Sequence, residues 1–296
     1  MTQHNQPPPQ AVATLPIFDT LINAFVIAYG NPPLLFRAAL GGLLLLAATT
    51  VVALIVPANA FTLLLMLLAP CAAYTHFGVN WYRVVLLGPE GMVQPALRWD
   101  RRHWRFLAFG LLIGAALLTL GAVITMIVPL SAALVAVGLL FLAARVSFVF
   151  PAAAVEEPYS LVYAWRHTQG QGARLTLILV IAGLPLFLAV AYIASMLFAA
   201  VLGVSLFDIA AMQRGGAASP EMPGAGGTLP EMSPIAALSL KMMTEGLTMA
   251  VMAVLYTIVA LAFRTCTGWV PASGGTLPSV TDGNDGNDGN GDDPGR

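Results

Sequence analysis

Apolar residues run through this chain in blocks far longer than a soluble helix or strand needs. A helix of about 20 mostly apolar residues crosses roughly 30 Å of hydrocarbon. Six blocks qualify: about 38–56, 61–79, 106–128, 130–150 and 175–202, and a sixth that starts between Ile235 and Leu247 and ends near Phe263. The short link at 57–60, and the near absence of one between the third and fourth blocks, predict tight hairpins. Lys241 and Glu245 interrupt the start of the sixth block, four residues apart. That spacing lets them pair on one helix face in an interfacial first turn or two. The pattern predicts an all-α polytopic integral membrane protein, with six transmembrane helices arranged as three hairpins.

Basic residues set the orientation. Of thirteen, only Arg214 and Lys241 fall on the side of the first, third and fifth links. The other eleven, among them Arg37, Arg83, Arg98, Arg101, Arg102, Arg105, Arg145, Arg166, Arg174 and Arg264, lie opposite. Both termini are therefore expected in the cytoplasm of a bacterial inner membrane. The N-terminus has neither a basic region nor an apolar core, so the first span is expected to act as an uncleaved insertion signal.

Composition agrees. The chain is 58% hydrophobic and 9% charged, against about 25% charged in a soluble domain, and its mean hydropathy is +0.82. A net charge of −1 excludes the basic surface that nucleic acid requires. Cys71 and Cys266 are expected at different depths, as two free packing thiols.

The spans at 15–271 form the membrane domain, flanked by polar, disordered ends at 1–14 and 272–296. A Gly- and Pro-rich loop at 208–234 reads as periplasmic. In the tail, Asp282, Asp285 and Asp288 recur every third residue with no closing Glu, which suits a solvated tail rather than a calcium loop.

A weak repeat is visible. Arg83 and Arg145 are each followed by Pro six residues on, at Pro89 and Pro151, and Arg264 by Pro271 seven residues on. Thr20, Ala24 and Gly30 match Ser160, Ala164 and Gly170 at identical offsets. Three units follow (15–82, 83–150, 151–271), each a cytoplasmic amphipathic interfacial helix and a transmembrane hairpin. The segment 96–105 (ALRWDRRHWR) is the expected interfacial helix of the middle unit.

No metalloprotease, Walker, nucleophile-elbow or Cys-x-x-Cys motif occurs, and the four histidines have no metal-ligand spacing. No cofactor is expected. Gly110, Gly114 and Gly121 form a small-residue stripe, which predicts close helix packing inside the bundle. Pro70 and Pro185 are potential kinks. Trp81, Tyr82, Trp99 and Trp104 suit an inner aromatic belt.

Polar residues at span ends are the remaining chemistry. His76, Asn80 and Arg83 lie at i, i+4 and i+7 on one face of the second span. Arg145 ends the fourth span, followed by Glu156 and Glu157, then Arg166. As a cytoplasmic cluster, these residues suit an anionic lipid headgroup, since the Arg fork donates two parallel bonds to phosphate. The competing role is snorkelling and pairing with Glu156 or Glu157.

The stretches WYRVVLLGPEG…ALRWDRRHWRFLAFGLLIG and ARVSFVFPAAAVEEPYSLVYAWRHTQGQGARL resemble segments of six-span inner-membrane proteins of alphaproteobacterial type. The second is also similar to the membrane domain attached to some glycerophosphoryl diester phosphodiesterases. Arg145, Pro151, Glu156, Ala164-Trp165-Arg166 and Gly170 carry the likeness. The resemblance implies the six-span fold. It does not imply phosphodiesterase activity, which belongs to a separate soluble barrel for which the links here are too short.

Three functions follow in order of expectation. The first is a non-enzymatic protein that recognises lipid or organises a membrane complex through a cytoplasmic Arg and aromatic collar. The second is a small transporter or channel with a path between hairpins, past hydroxyls such as Thr49 and Thr50. The third is an intramembrane enzyme, which would need His76 with Glu156 as an acid–base pair.

Overall fold

The computed structural model describes residues 15–57, 59–93, 98–127, 132–157, 159–202 and 233–271. The expected disordered ends and the loop at 208–232 lie outside the described residues. Among the described residues nine α-helices follow in order: α1 (Ile17–Tyr29), α2 (Pro32–Ile55), α3 (Ala60–Leu87), α4 (Arg101–Ile127), α5 (Ala132–Val146), α6 (Val149–Ala154), α7 (Leu161–His167), α8 (Gly172–Leu202) and α9 (Pro234–Thr267). A 3-10 turn, Pro89–Gly91, follows α3, and no strand occurs among the described residues. Among the described residues six stretches are long and apolar enough to span a membrane, so this is an all-α polytopic membrane protein.

Local chemistry fixes the helix starts. The side chains of Asn31, Asn59, Ser160 and Ser233 each accept a backbone N–H two or three residues into α2, α3, α7 and α9, the role N-cap oxygens play. Pro32 and Pro234 occupy first helical positions, where the missing N–H costs nothing. Gly88 (φ 86°) ends α3 and Gly268 (φ 65°) ends α9, in a backbone region that L side chains avoid. Helices α3 and α8 continue through Pro70 and Pro185.

The fourth span departs from the expected single helix. It breaks after Val146 and resumes as α6 at Val149. Pro151 is the cause: it lacks an N–H and its ring crowds the carbonyl four residues back, at Ser147. Among the described residues no separate interfacial helix precedes α4. The basic stretch from Arg101 to Arg105 is instead wound into the first turns of α4. Short helices do precede the other two hairpins, α1 and α7, and Ala24 and Ala164 on them are completely buried.

α3 and α9 form the centre of the bundle. Trp81 is fully buried, and its indole N–H donates to the Ala253 carbonyl and the Thr257 hydroxyl, both at 2.9 Å. The Tyr82 ring meets that of Tyr256 at a tilt, with centroids 5.1 Å apart. Neither residue belongs to an aromatic belt: a ring that ends a span by sequence can still face inward, and these two do. Trp104, 63% exposed, is the one of the four that lies open at the surface.

The glycine stripe on α4 is also reassigned. A Cβ on Gly110 would find only Phe150, at 3.9 Å, and one on Gly114 nothing within 4 Å. Gly121 alone is tight, 2.9 Å from Leu139. Close helix approach occurs elsewhere. A Cβ on Gly42 would sit 2.8 Å from the Ala73 carbonyl oxygen, and one on Gly78 would sit 2.7 Å from Phe106.

Candidate functional site

Arginines gather at one end of the bundle, at the starts of α2, α4 and α8 and the ends of α3, α5, α7 and α9. Within this end, the second span delivers the face that its spacing predicts. His76 and Asn80 are 4% and 2% exposed. Asn80 Nδ2 donates to His76 Nδ1 at 3.3 Å, while Asn80 Oδ1 accepts the Val93 backbone N–H at 3.0 Å. Asn80 thereby ties the loop after α3 to the helix it leaves.

Arg83, one turn on, is spent on backbone. Its guanidinium donates to the Gly91 carbonyl and, at 3.1 Å, to the carbonyl of Ala154 at the end of α6. Helix C-termini expose such unpaired carbonyls, and a cation there also meets the negative end of the helix dipole. Arg145 does the same for α7. It donates to the Trp165 carbonyl at 2.9 Å and lies 3.7 Å from the centre of the Trp165 ring. Thr168 ties the two segments further, donating to the Arg145 carbonyl at 3.1 Å.

The residues that sequence reasoning missed come from the start of α4. Asp100 is its N-cap: Oδ1 accepts the N–H groups of Arg102 at 3.0 Å and His103 at 3.4 Å. The His103 ring reaches back, with Nδ1 at 3.2 Å from the Asp100 N–H and 2.8 Å from Oδ1. This is the reciprocal geometry of a capping box, with His in the place usually held by Glu or Gln. An Asp at N-cap with a polar residue three positions on is the signal that reveals it in sequence. His103 has no exposed surface and is stacked between Trp99, at 5.0 Å, and His76, at 5.2 Å.

Arg102 links this cap to α6. Its Nε lies 2.6 Å from Glu156 Oε1, and its NH1 lies 3.5 Å from Asp100 Oδ2. The Arg102 guanidinium beside it holds the Glu156 carboxyl below the usual value, helped by the charge of Arg83 against some burial. Burial pushes the Asp100 carboxyl up, but its bonds to His103 and the Arg102 N–H, with their charges, win and hold it low. The Glu156 carboxylate is thus committed to Arg102 rather than poised as an acid for His76.

His76, Asn80, Arg83 and Glu156 therefore share one network, completed by Asp100, Arg102 and His103. Arg145 lies in a separate contact with α7, and Arg166 is exposed. Arg37, Arg98, Arg101 and Arg174 are exposed at the same end.

The Lys241–Glu245 pair expected on α9 does not form. Glu245 Oε2 instead accepts the Tyr74 hydroxyl at 2.7 Å. Tyr74 lies midway along the 28-residue α3, so this carboxylate meets its partner at the middle of a span and not at its mouth. Both cysteines are free. Among the described residues no group of three or more His, Cys, Asp or Glu could hold a metal ion. Comparison with known protein families, with curated proteins and with solved structures found no match.

Proposed function

We propose that this chain is a non-enzymatic, multi-pass protein of the bacterial inner membrane, both termini cytoplasmic, whose arginine-rich end recognises anionic lipid headgroups or organises a membrane complex. Kinship with the six-span proteins resembled in sequence belongs to the same proposal. The reading rests chiefly on one observation: Arg98, Arg101, Arg166 and Arg174 stand exposed around a network that is already internally paired. Those guanidiniums keep their donors for a phosphate, whereas Arg83 and Arg145 spend theirs on helix ends.

The test is native mass spectrometry of protein released from mild detergent with mixed zwitterionic and anionic phospholipids. Wild type should retain anionic lipid selectively, and a variant with those four exposed arginines changed to Gln should not. Equal retention by both overturns the headgroup reading.

The transporter alternative draws support from Glu245. An ionisable group within a span is costly and tends to serve a pathway. Its test is substrate-independent: Glu245→Gln should alter pH-driven proton flux across proteoliposomes if a path exists, and unchanged flux removes this reading.

A further inference from the structure

Between α3, α4, α6 and α9 lies a cleft of about 330 Å³, bordered by Cys71, Tyr74, Phe106, Gly110, Phe150 and Tyr256. Its volume falls within the roughly 300–1,000 Å³ typical of ligand pockets. The end toward the arginines is shut. There Phe106 packs onto Gly78 so closely that no Cβ would fit, and the Phe106 and Phe150 rings meet at 4.9 Å. On the α4 side the wall is missing, because Gly110 contributes no side chain and Leu111, also on the cleft, is 49% exposed. The cleft therefore opens sideways, on the face of a spanning helix.

What fills it follows from the medium it opens onto. Its lining is almost wholly hydrocarbon and aromatic carbon; Thr75 and Tyr256 bring one hydroxyl each, the Cys71 thiol is turned to the Leu67 carbonyl, and the Tyr74 hydroxyl is already given to Glu245. A water needs two to four polar partners to settle in a cavity, and an empty gap forfeits dispersion contacts along its lining. We propose that the cleft holds the acyl chain of a bilayer lipid, seated between helices rather than in the shell around them. The site shares no residue with the exposed arginines, so it does not rest on the headgroup reading.

Gly110 offers a clean test. Leu at 110 has room for its Cβ and would place its branches in the cleft, while Leu at 114 meets open space. Both replacements favour helix over Gly, so both variants should fold. The full chain is reconstituted in phosphatidylcholine vesicles containing an analogue with a diazirine midway along one acyl chain, then photolysed and mapped by peptide mass spectrometry. Wild type and Gly114→Leu should carry adducts concentrated at 106–111 and 252–256. Gly110→Leu should lose that concentration and keep the adducts on the exposed α8 residues Leu184 and Leu188. Undiminished cleft adducts in Gly110→Leu overturn the proposal, as does wild-type labelling no denser there than at Leu184 and Leu188.

Discussion

Glu156 holds a left-handed backbone, φ 64°, while its carboxylate meets the Arg102 guanidinium at 2.6 Å. The two facts belong together. The Glu157 N–H bonds the Ala152 carbonyl and the Glu156 N–H bonds that of Ala153, the crossed pattern that ends a helix with its left-handed residue usually Gly. A non-glycine there costs about 1–2 kcal/mol. Strain of this kind persists where the surroundings demand a particular side chain. Here that demand is the bridge between α6 and the start of α4.

Replacing Glu156 separates backbone from side chain. Glu156→Ala keeps the strain and loses an exposed ion pair worth about 0.2–1 kcal/mol, so it should lower the melting temperature in detergent. Glu156→Gly loses the same pair and relieves the strain, so it should melt at or above wild type. If Glu156→Gly melts below Glu156→Ala, the strain argument fails.

The same network sets an acid limit. Glu156 and Asp100 both have folded values below their ordinary 4.5 and 3.8. Each therefore contributes stability that is complete above its ordinary value and fades as pH falls through the depressed one. The protection factor for hydrogen exchange at the first turn of α4, with the intrinsic pH dependence divided out, should be flat from neutrality to about pH 5 and fall below about pH 4. A profile unchanged down to pH 3 would contradict the assignment.

Trp81 binds α3 to α9 through a single N–H with two acceptors. Trp81→Phe leaves a smaller ring and no donor in a fully buried place, and should cost about 1–3 kcal/mol. Thermal unfolding measured beside Thr257→Val and the double variant would give the coupling. Additive losses would mean that the indole bond to Thr257 contributes nothing beyond packing.

Gly42 marks a close approach of one helix to the backbone of another. Its missing Cβ lies over the Ala73 carbonyl, a backbone atom that has no rotamer to yield. Gly42→Ala should destabilise the α2–α3 hairpin in spite of Ala's better helix propensity, whereas Gly114→Ala should stabilise slightly. Melting curves of the two variants in one detergent decide it. Equal shifts would refute the packing role of Gly42.

Much of this architecture is legible in sequence because lipid imposes a simple rule: long apolar blocks span, and arginines stay at one end. The face formed by His76, Asn80 and Arg83 was legible for the same reason, since it is local and follows helical spacing. What was misread depends on contacts far apart along the chain. Tyr74 and Glu245 are separated by 171 positions, and no periodicity on α9 reveals that Glu245 turns to α3 rather than to Lys241. Trp81 and Tyr82 were misplaced because their depth says nothing about which way they face. Gly110 and Gly114 were misplaced because a small-residue stripe permits a close neighbour without supplying one.

The position of α1 bears on how the protein is made. The Leu15 N–H reaches the Gln171 side chain at 3.4 Å, just before α8, and the Tyr29 hydroxyl reaches the Ala250 carbonyl of α9 at 3.3 Å. The helix α1 thus docks on α8 and α9, far along the chain from it. Until α8 and α9 have been threaded into the bilayer, α1 has only α2 beside it, and the bundle stays open like a ring with an unfastened clasp. Insertion of α8 and α9 is then also the event that closes the described bundle, and a chain halted before α8 would leave the docking face of α1 uncovered.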